Sequence, residues 1–153
     1  MLFRSPNLLA YTNGIVGNDS DLAFRLSGSY RLPWDIGLAA AVVSNRGYPF
    51  VSTYSVTRAA ALAAGTTLTR ASQTVILSDR GDERLKAVNL VDLRISRAFR
   101  FDQKRKIEPQ IDIFNLTNSN VADAINVGVG SVYGTASTIV APRIIRVGFS
   151  LDF

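Results

Sequence analysis

The chain contains neither cysteine nor histidine. The first absence rules out a disulfide scaffold and thiolate chemistry. The second removes histidine-based triads, the usual proton shuttle near neutral pH, and most zinc or non-haem iron sites. Long apolar runs are missing as well. The longest apolar-or-glycine run at a strand is Ile36 to Val43, far short of the roughly 20 apolar residues a membrane-spanning helix needs. That exclusion does not reach strands, because a spanning strand needs only about 9–11 residues, half of which are free to be polar. Acidic residues are scarce relative to basic ones, 12 against 17, which gives a net charge of +5. A nucleic-acid-binding protein would gather that surplus on one element. Here it is dispersed over polar strand faces (Arg25, Arg94, Arg146), a strand end (Arg97) and one turn (Lys104, Arg105, Lys106), so no nucleic-acid partner is expected. At 47% apolar and 19% charged residues, the chain is neither disordered nor a helical membrane protein.

What is present is alternation. In Arg143–Phe153, RIIRVGFSLDF, the residues Ile145, Val147, Phe149, Leu151 and Phe153 are apolar, whereas the alternate set, Ile144, Arg146, Gly148, Ser150 and Asp152, is mostly polar or small. A period of two gives a strand with one greasy face and one wet face. Arg146, Gly148, Leu151 and Phe153 also resemble the signal on the closing strand of an outer-membrane β-barrel, which is read during insertion. Leu22–Leu32 alternates most cleanly, with Leu22, Phe24, Leu26, Gly28, Tyr30 and Leu32 opposite Ala23, Arg25, Ser27, Ser29 and Arg31. Pro33-Trp34-Asp35 predicts a tight connection, and Ile36–Asn45 a return strand with small residues on one side. Val88–Phe101 and Ile107–Asn115 predict a second pair around a charged turn over 102–106. Pro109 is expected at a strand start or a bulge, where its missing N–H is tolerated. Residues 1–12 predict one more strand.

The connections then run long (13–21), short (33–35), long (46–87), short (102–106) and long (116–142). Up-and-down membrane barrels connect their strands in this way, with short periplasmic turns and long outer loops. The parity places both short turns at the end where Phe153 lies. Trp34, Phe99, Phe101 and Phe153 would form an interfacial girdle there. Within 46–87, strand extensions are expected at 50–57 and 72–78 and a short helix near 59–64. Segment 116–142 reads as a second Asn/Gly/Ser/Thr-rich loop. Arg25, Asp92, Arg94, Asp112 and Arg146 fall on polar faces. They are candidates for the lumen, or for cross-strand charge pairs that satisfy the wall.

The segments LSGSYRLPW (26–34), GYPF (47–50), NLVDLRISRAFRF (89–101), IEPQIDIFNLTN (107–118) and PRIIRVGFSLDF (142–153) resemble the C-terminal part of TonB-dependent outer-membrane receptors. The similarity is to the Oar-like branch, whose members often carry an N-terminal carboxypeptidase-regulatory-like domain. Asp112–Asn118, followed by a final loop and a PR…F strand, is the most specific part. The resemblance implies a barrel of about 22 strands around a plug, energised through TonB. The expectation is therefore an all-β, antiparallel, up-and-down segment from the C-terminal end of a transmembrane β-barrel. It would be an incomplete barrel of about six strands, since even about eight make only a small closed one. Plug and N-terminal strands would lie elsewhere in a parent chain, and MLFRSPNLLAYTNG lacks the apolar core of a signal peptide. The implied partners are outer-membrane lipid, the barrel-assembly machinery, the rest of the barrel with its plug, and TonB through that plug.

No catalytic constellation is visible, so no enzyme activity and no cofactor are expected. Asp79, Asp82 and Glu83 lack EF-hand spacing, so no metal is expected, and Arg80-Gly81-Asp82 reads as a chance tripeptide. Two other readings remain: a short outer-membrane pore or adhesin built from several copies, and a soluble β-sandwich binding glycans through Tyr48, Phe50 and Tyr54. Nothing in the residues names a transported ligand.

Overall fold

The computed structural model describes residues 15, 17, 19–102 and 104–153. The strand expected over 1–12 lies outside them, as does part of the 13–21 connection. In chain order the elements are β1 (Ala23–Leu32), β2 (Ile36–Asn45), β3 (Pro49–Phe50), β4 (Thr53–Thr57), α1 (Arg58–Ala63), β5 (Ser72–Ile76) and β6 (Glu83–Arg84). They continue with β7 (Val88–Arg97), β8 (Phe99–Arg100), β9 (Lys106–Phe114), β10 (Ala122–Ile125), β11 (Ala136–Ile139) and β12 (Ile144–Asp152). The fold is all-β with antiparallel sheets, and no sheet closes into a barrel. No helix among the described residues is long and apolar enough to cross a membrane.

The chain divides into two compact units. The sheet unit comprises Leu22–Arg46, Ala87–Val121 and Val140–Phe153. Its six-stranded sheet runs β1-β2-β7-β9-β12, with β8 extending the pairing onto β9. The ladders are long and regular. Ala23–Leu32 pairs residue for residue with Asn45–Ile36, and Ile144–Asp152 with Phe114–Lys106. Period-two sequences hold such registers because a one-residue slip would exchange the apolar and polar faces. The pairs Leu32↔Ile36, Arg100↔Lys106 and Asp152↔Lys106 place both short turns and the end of β12 at one end of the sheet. The connections over 46–87 and 115–143 leave from the other end.

The first short turn depends less on Pro33 than its sequence suggests. Trp34 (φ 64°) and Asp35 (φ 56°) are both left-handed, the backbone that a tight hairpin between right-twisted strands requires. For residues with a Cβ this costs about 1–2 kcal/mol each. Anchoring of Asp35 offsets part of it. Its carbonyl accepts the Ala98 N–H at 3.0 Å, and its carboxylate lies 3.2 Å from Arg100 and 3.7 Å from Arg31. Pro109 also departs from expectation. It is neither at a strand start nor at a bulge, but inside β9, paired with Phe149. On the opposite side the ladder stops after Ser96↔Gln110 and resumes at Phe99↔Ile107 in the same register. The missing proline donor is accommodated by that gap, which divides the single strand expected over 88–101 into β7 and β8.

The loop unit holds Gly47–Lys86 and Ala122–Ile139, with the described residues up to Asp21. The strands and the short helix expected in the first long connection are present as β4, β5 and α1, but β4 and β5 pair as a two-stranded sheet of their own and do not extend the long strands. Thr57 caps α1 by accepting the Ala60 N–H at 3.2 Å, the usual role of Thr at a helix start. The second connection, expected as plain loop, contains the β10–β11 hairpin. The two connections are joined through Thr53, whose N–H donates to the Val127 carbonyl at 2.8 Å and whose carbonyl accepts the Val129 N–H at 2.7 Å. Beside it, the buried Ser52 hydroxyl donates to Glu83 at 2.6 Å and lies 2.5 Å from the Tyr133 hydroxyl. Glu83 is thereby engaged, and no cluster able to hold a metal occurs among the described residues.

Few of the described residues are buried. Among the described residues the buried apolar ones are Pro49, Ala61 and Ala98, while Ser52, Ser96, Asp112 and Asn115 are buried polar ones. Among the described residues no large side chain is fully buried.

Candidate functional site

The two faces of the sheet unit are the features with functional content. Register puts Phe24, Leu26, Tyr30, Leu38, Val42, Val91, Leu93, Ile95, Ile111, Ile113, Ile145, Val147, Phe149 and Leu151 on one side. Many of them are open: Leu26 is 61% exposed, Tyr30 68%, Val147 75% and Phe149 69%. Monomeric soluble proteins rarely expose a contiguous apolar patch of more than a few hundred Å². Arg97 also falls on this side near the turn end, its guanidinium 4.9 Å from the Phe99 ring centroid.

On the opposite side the alignments Ala41↔Asp92, Ala39↔Arg94↔Asp112↔Arg146 and Gly37↔Ser96↔Gln110↔Gly148 cross the sheet. Asp112 is the centre of this face and is 3% exposed. Arg94 Nε donates to its Oδ1 at 2.5 Å, while Arg146 donates to Oδ2 from Nε at 2.9 Å and from Nη2 at 2.7 Å. One carboxylate therefore serves two guanidinium groups, in the charge-assisted geometry that makes such bonds strong. Arg146 also lies over the Phe114 ring, 5.2 Å from its centroid. Asp92 stays outside this cluster and accepts the Asn115 N–H at 2.8 Å. Arg25, level with Val43 and Leu90, shares the face but not the cluster.

Small residues on β2 make room for this arrangement. A Cβ at Gly37 would lie 2.6 Å from Ser96 Oγ, and that hydroxyl donates to Glu108 at 2.7 Å. Ser96 and Glu108 were not singled out from sequence. Their signal is a polar residue on each of two neighbouring strands, with Ser96 level with Gly37. Lys106 and Asp152 add a rim pair at 2.9 Å.

Asn115 shapes the other end of the sheet. Left-handed (φ 51°) and buried, it donates from Nδ2 to the Ser119 carbonyl at 2.9 Å and the Ala141 carbonyl at 2.8 Å, and accepts the Ser119 N–H at 2.8 Å. Asn118 (φ 54°) accepts the Arg143 N–H at 3.2 Å. The Asp112–Asn118 stretch thus combines the charge centre with a polar knot at the start of β12.

The residues resembling an insertion signal lie along β12. Arg146 is tied to Asp112, Gly148 is level with Gln110, Leu151 with Ile107, and Phe153 is fully open. Trp34, Phe99 and Phe101 sit at the same end as Phe153 and are likewise exposed. No protein-family model, no curated protein and no solved structure matches this chain.

Proposed function

We propose that the chain is a wall segment of an outer-membrane β-barrel, and that the barrel is a TonB-dependent receptor taking up a ligand actively. The observation that carries the membrane reading is the broad, uncovered apolar face of a sheet whose other face is charged and internally paired. A β-sandwich places a second sheet over such a face, and the described residues of the sheet unit form a single sheet. Lipid is the surrounding that suits it, with the charged face toward a polar lumen. In lipid an open sheet edge is costly, so strands of the parent barrel flank the outer edges of β1 and β12. The receptor assignment rests on the resemblance of the five segments. The segment has no catalytic role. It contributes wall, lumen lining and outer loops, and the plug of the parent barrel engages TonB.

The absence of cysteine makes the test clean. Single cysteines at residues 146–151, labelled with a polarity-sensitive dye, should alternate between lipid and water in vesicles, with Val147, Phe149 and Leu151 in lipid. Uniform water exposure, in a chain that stays soluble without detergent, would overturn the membrane reading and leave the soluble glycan-binding sandwich. The same open edges suit the pore or adhesin built from copies, for which cross-linking in detergent must yield closed oligomers and not monomer.

A further inference from the structure

We infer that the loop unit carries a binding site for a small monocarboxylate with an aromatic or branched apolar body, held by Arg80 over Phe50 and Val51. A cavity of about 240 Å³ is lined there by Ile15, Pro49, Phe50, Val51, Arg80 and Gly81, among others. Drug-sized ligands occupy pockets of about 300–1,000 Å³, so this one suits a compact molecule. Among the described residues that line it, Arg80 is the one charged residue and the others are apolar or glycine.

A tight turn carries Arg80. The Asp82 N–H donates to the Asp79 carbonyl at 3.4 Å, and Gly81 sits at φ 100°. The position demands glycine a second time, since a Cβ would come within 3.0 Å of Ile15 Cδ1. Arg80 is half-buried and makes no hydrogen bond or ion pair among the described residues. The other arginines with contacts in this unit are differently used. Arg84 binds Asp21 and the Gly47 and Asp19 carbonyls, and Arg58 binds the Thr69 and Arg70 carbonyls.

A half-buried arginine beside apolar walls has its donors poised for a planar oxyanion, and a carboxylate matches the guanidinium fork. Phe50 and Val51 offer the body of the ligand an apolar seat. Asp79 and Asp82 flank Arg80 in sequence, but both are exposed and neither lines the cavity. At exposed sites charges are largely screened. The site lies wholly within the loop unit and is independent of the membrane reading.

The test uses the full chain in detergent micelles and 4-fluorophenylacetate, followed by fluorine NMR against empty micelles. Saturable binding is expected. It should weaken at least tenfold in Arg80→Gln and at least tenfold for neutral 4-fluorophenylacetamide, and Val51→Trp should abolish it by filling the cavity while strand content by circular dichroism is retained. Inorganic phosphate should not compete at equal concentration. Absence of saturation beyond the micelle control, equal binding of acid and amide, or unchanged binding in Arg80→Gln would each overturn the site.

Discussion

The sheet unit and the loop unit are both built from antiparallel strands, yet they are held together differently. In the sheet unit, ladders up to ten residues long carry the structure, and side-chain bonds fasten residues already placed by register. In the loop unit the ladders are two to five residues long, too short to be stable alone. There, hydrogen bonds between residues far apart in sequence hold the two connections together, Ser52 to Tyr133 and Thr53 to Val127. Regular alternation can support a broad surface with almost no apolar interior. An irregular excursion needs specific polar contacts at a few points.

That contrast can be tested at single positions. The largest expected effect is on the apolar face. Val147→Lys should destabilise the chain in vesicles by about 2–4 kcal/mol, the cost of a cation near the bilayer midplane. Ser150→Lys, on the other face, should change stability little. Urea midpoints in vesicles would check both, and equal effects at the two positions would remove the distinction between the faces. Asp112→Ala comes next. It leaves Arg94 and Arg146 together without a counter-charge, and a clear loss of stability, smaller than that at Val147, is expected. The loss is smaller than for a fully buried pair, because both arginines are about half exposed. The smallest effect is in the loop unit. Ser52→Ala should cost about 1 kcal/mol, the worth of an ordinary hydrogen bond. Hydrogen exchange should show that loss as faster opening of 122–139, with the β9–β12 ladder unchanged. Faster exchange throughout the sheet would mean that the two units do not unfold separately.

The same contrast explains what the residues disclosed in advance. Four of the five long described strands and both short turns could be read within a residue or two, since period-two alternation is a local signal, whereas the strand expected over 88–101 is divided at Ala98. So could the shared face of Asp92, Arg94, Asp112 and Arg146. Which of them bond was not readable, because that depends on register across several strands: Asp112 takes both arginines, whereas Asp92 turns to the Asn115 backbone. The β10–β11 hairpin escaped notice because its four-residue strands are too short for alternation to stand out. Pro109 misled for a related reason. A proline inside β9 is tolerated only because the neighbouring ladder opens at Arg97 and Ala98, a concession by another strand that the local sequence does not announce.

The polar knot at Asn115 has a further consequence. With its bonds to Ser119 and Ala141, and the Val140 N–H donating to the Val121 carbonyl at 3.0 Å, both stems of the 122–139 excursion are fastened side by side before the excursion begins. Such a clamp makes the sheet indifferent to what is inserted beyond it. Lengthening a flexible insert twofold adds only about 0.6 kcal/mol of closure entropy, so this surface can be exchanged wholesale, as a graft onto a fixed stock, without the strands beneath having to change.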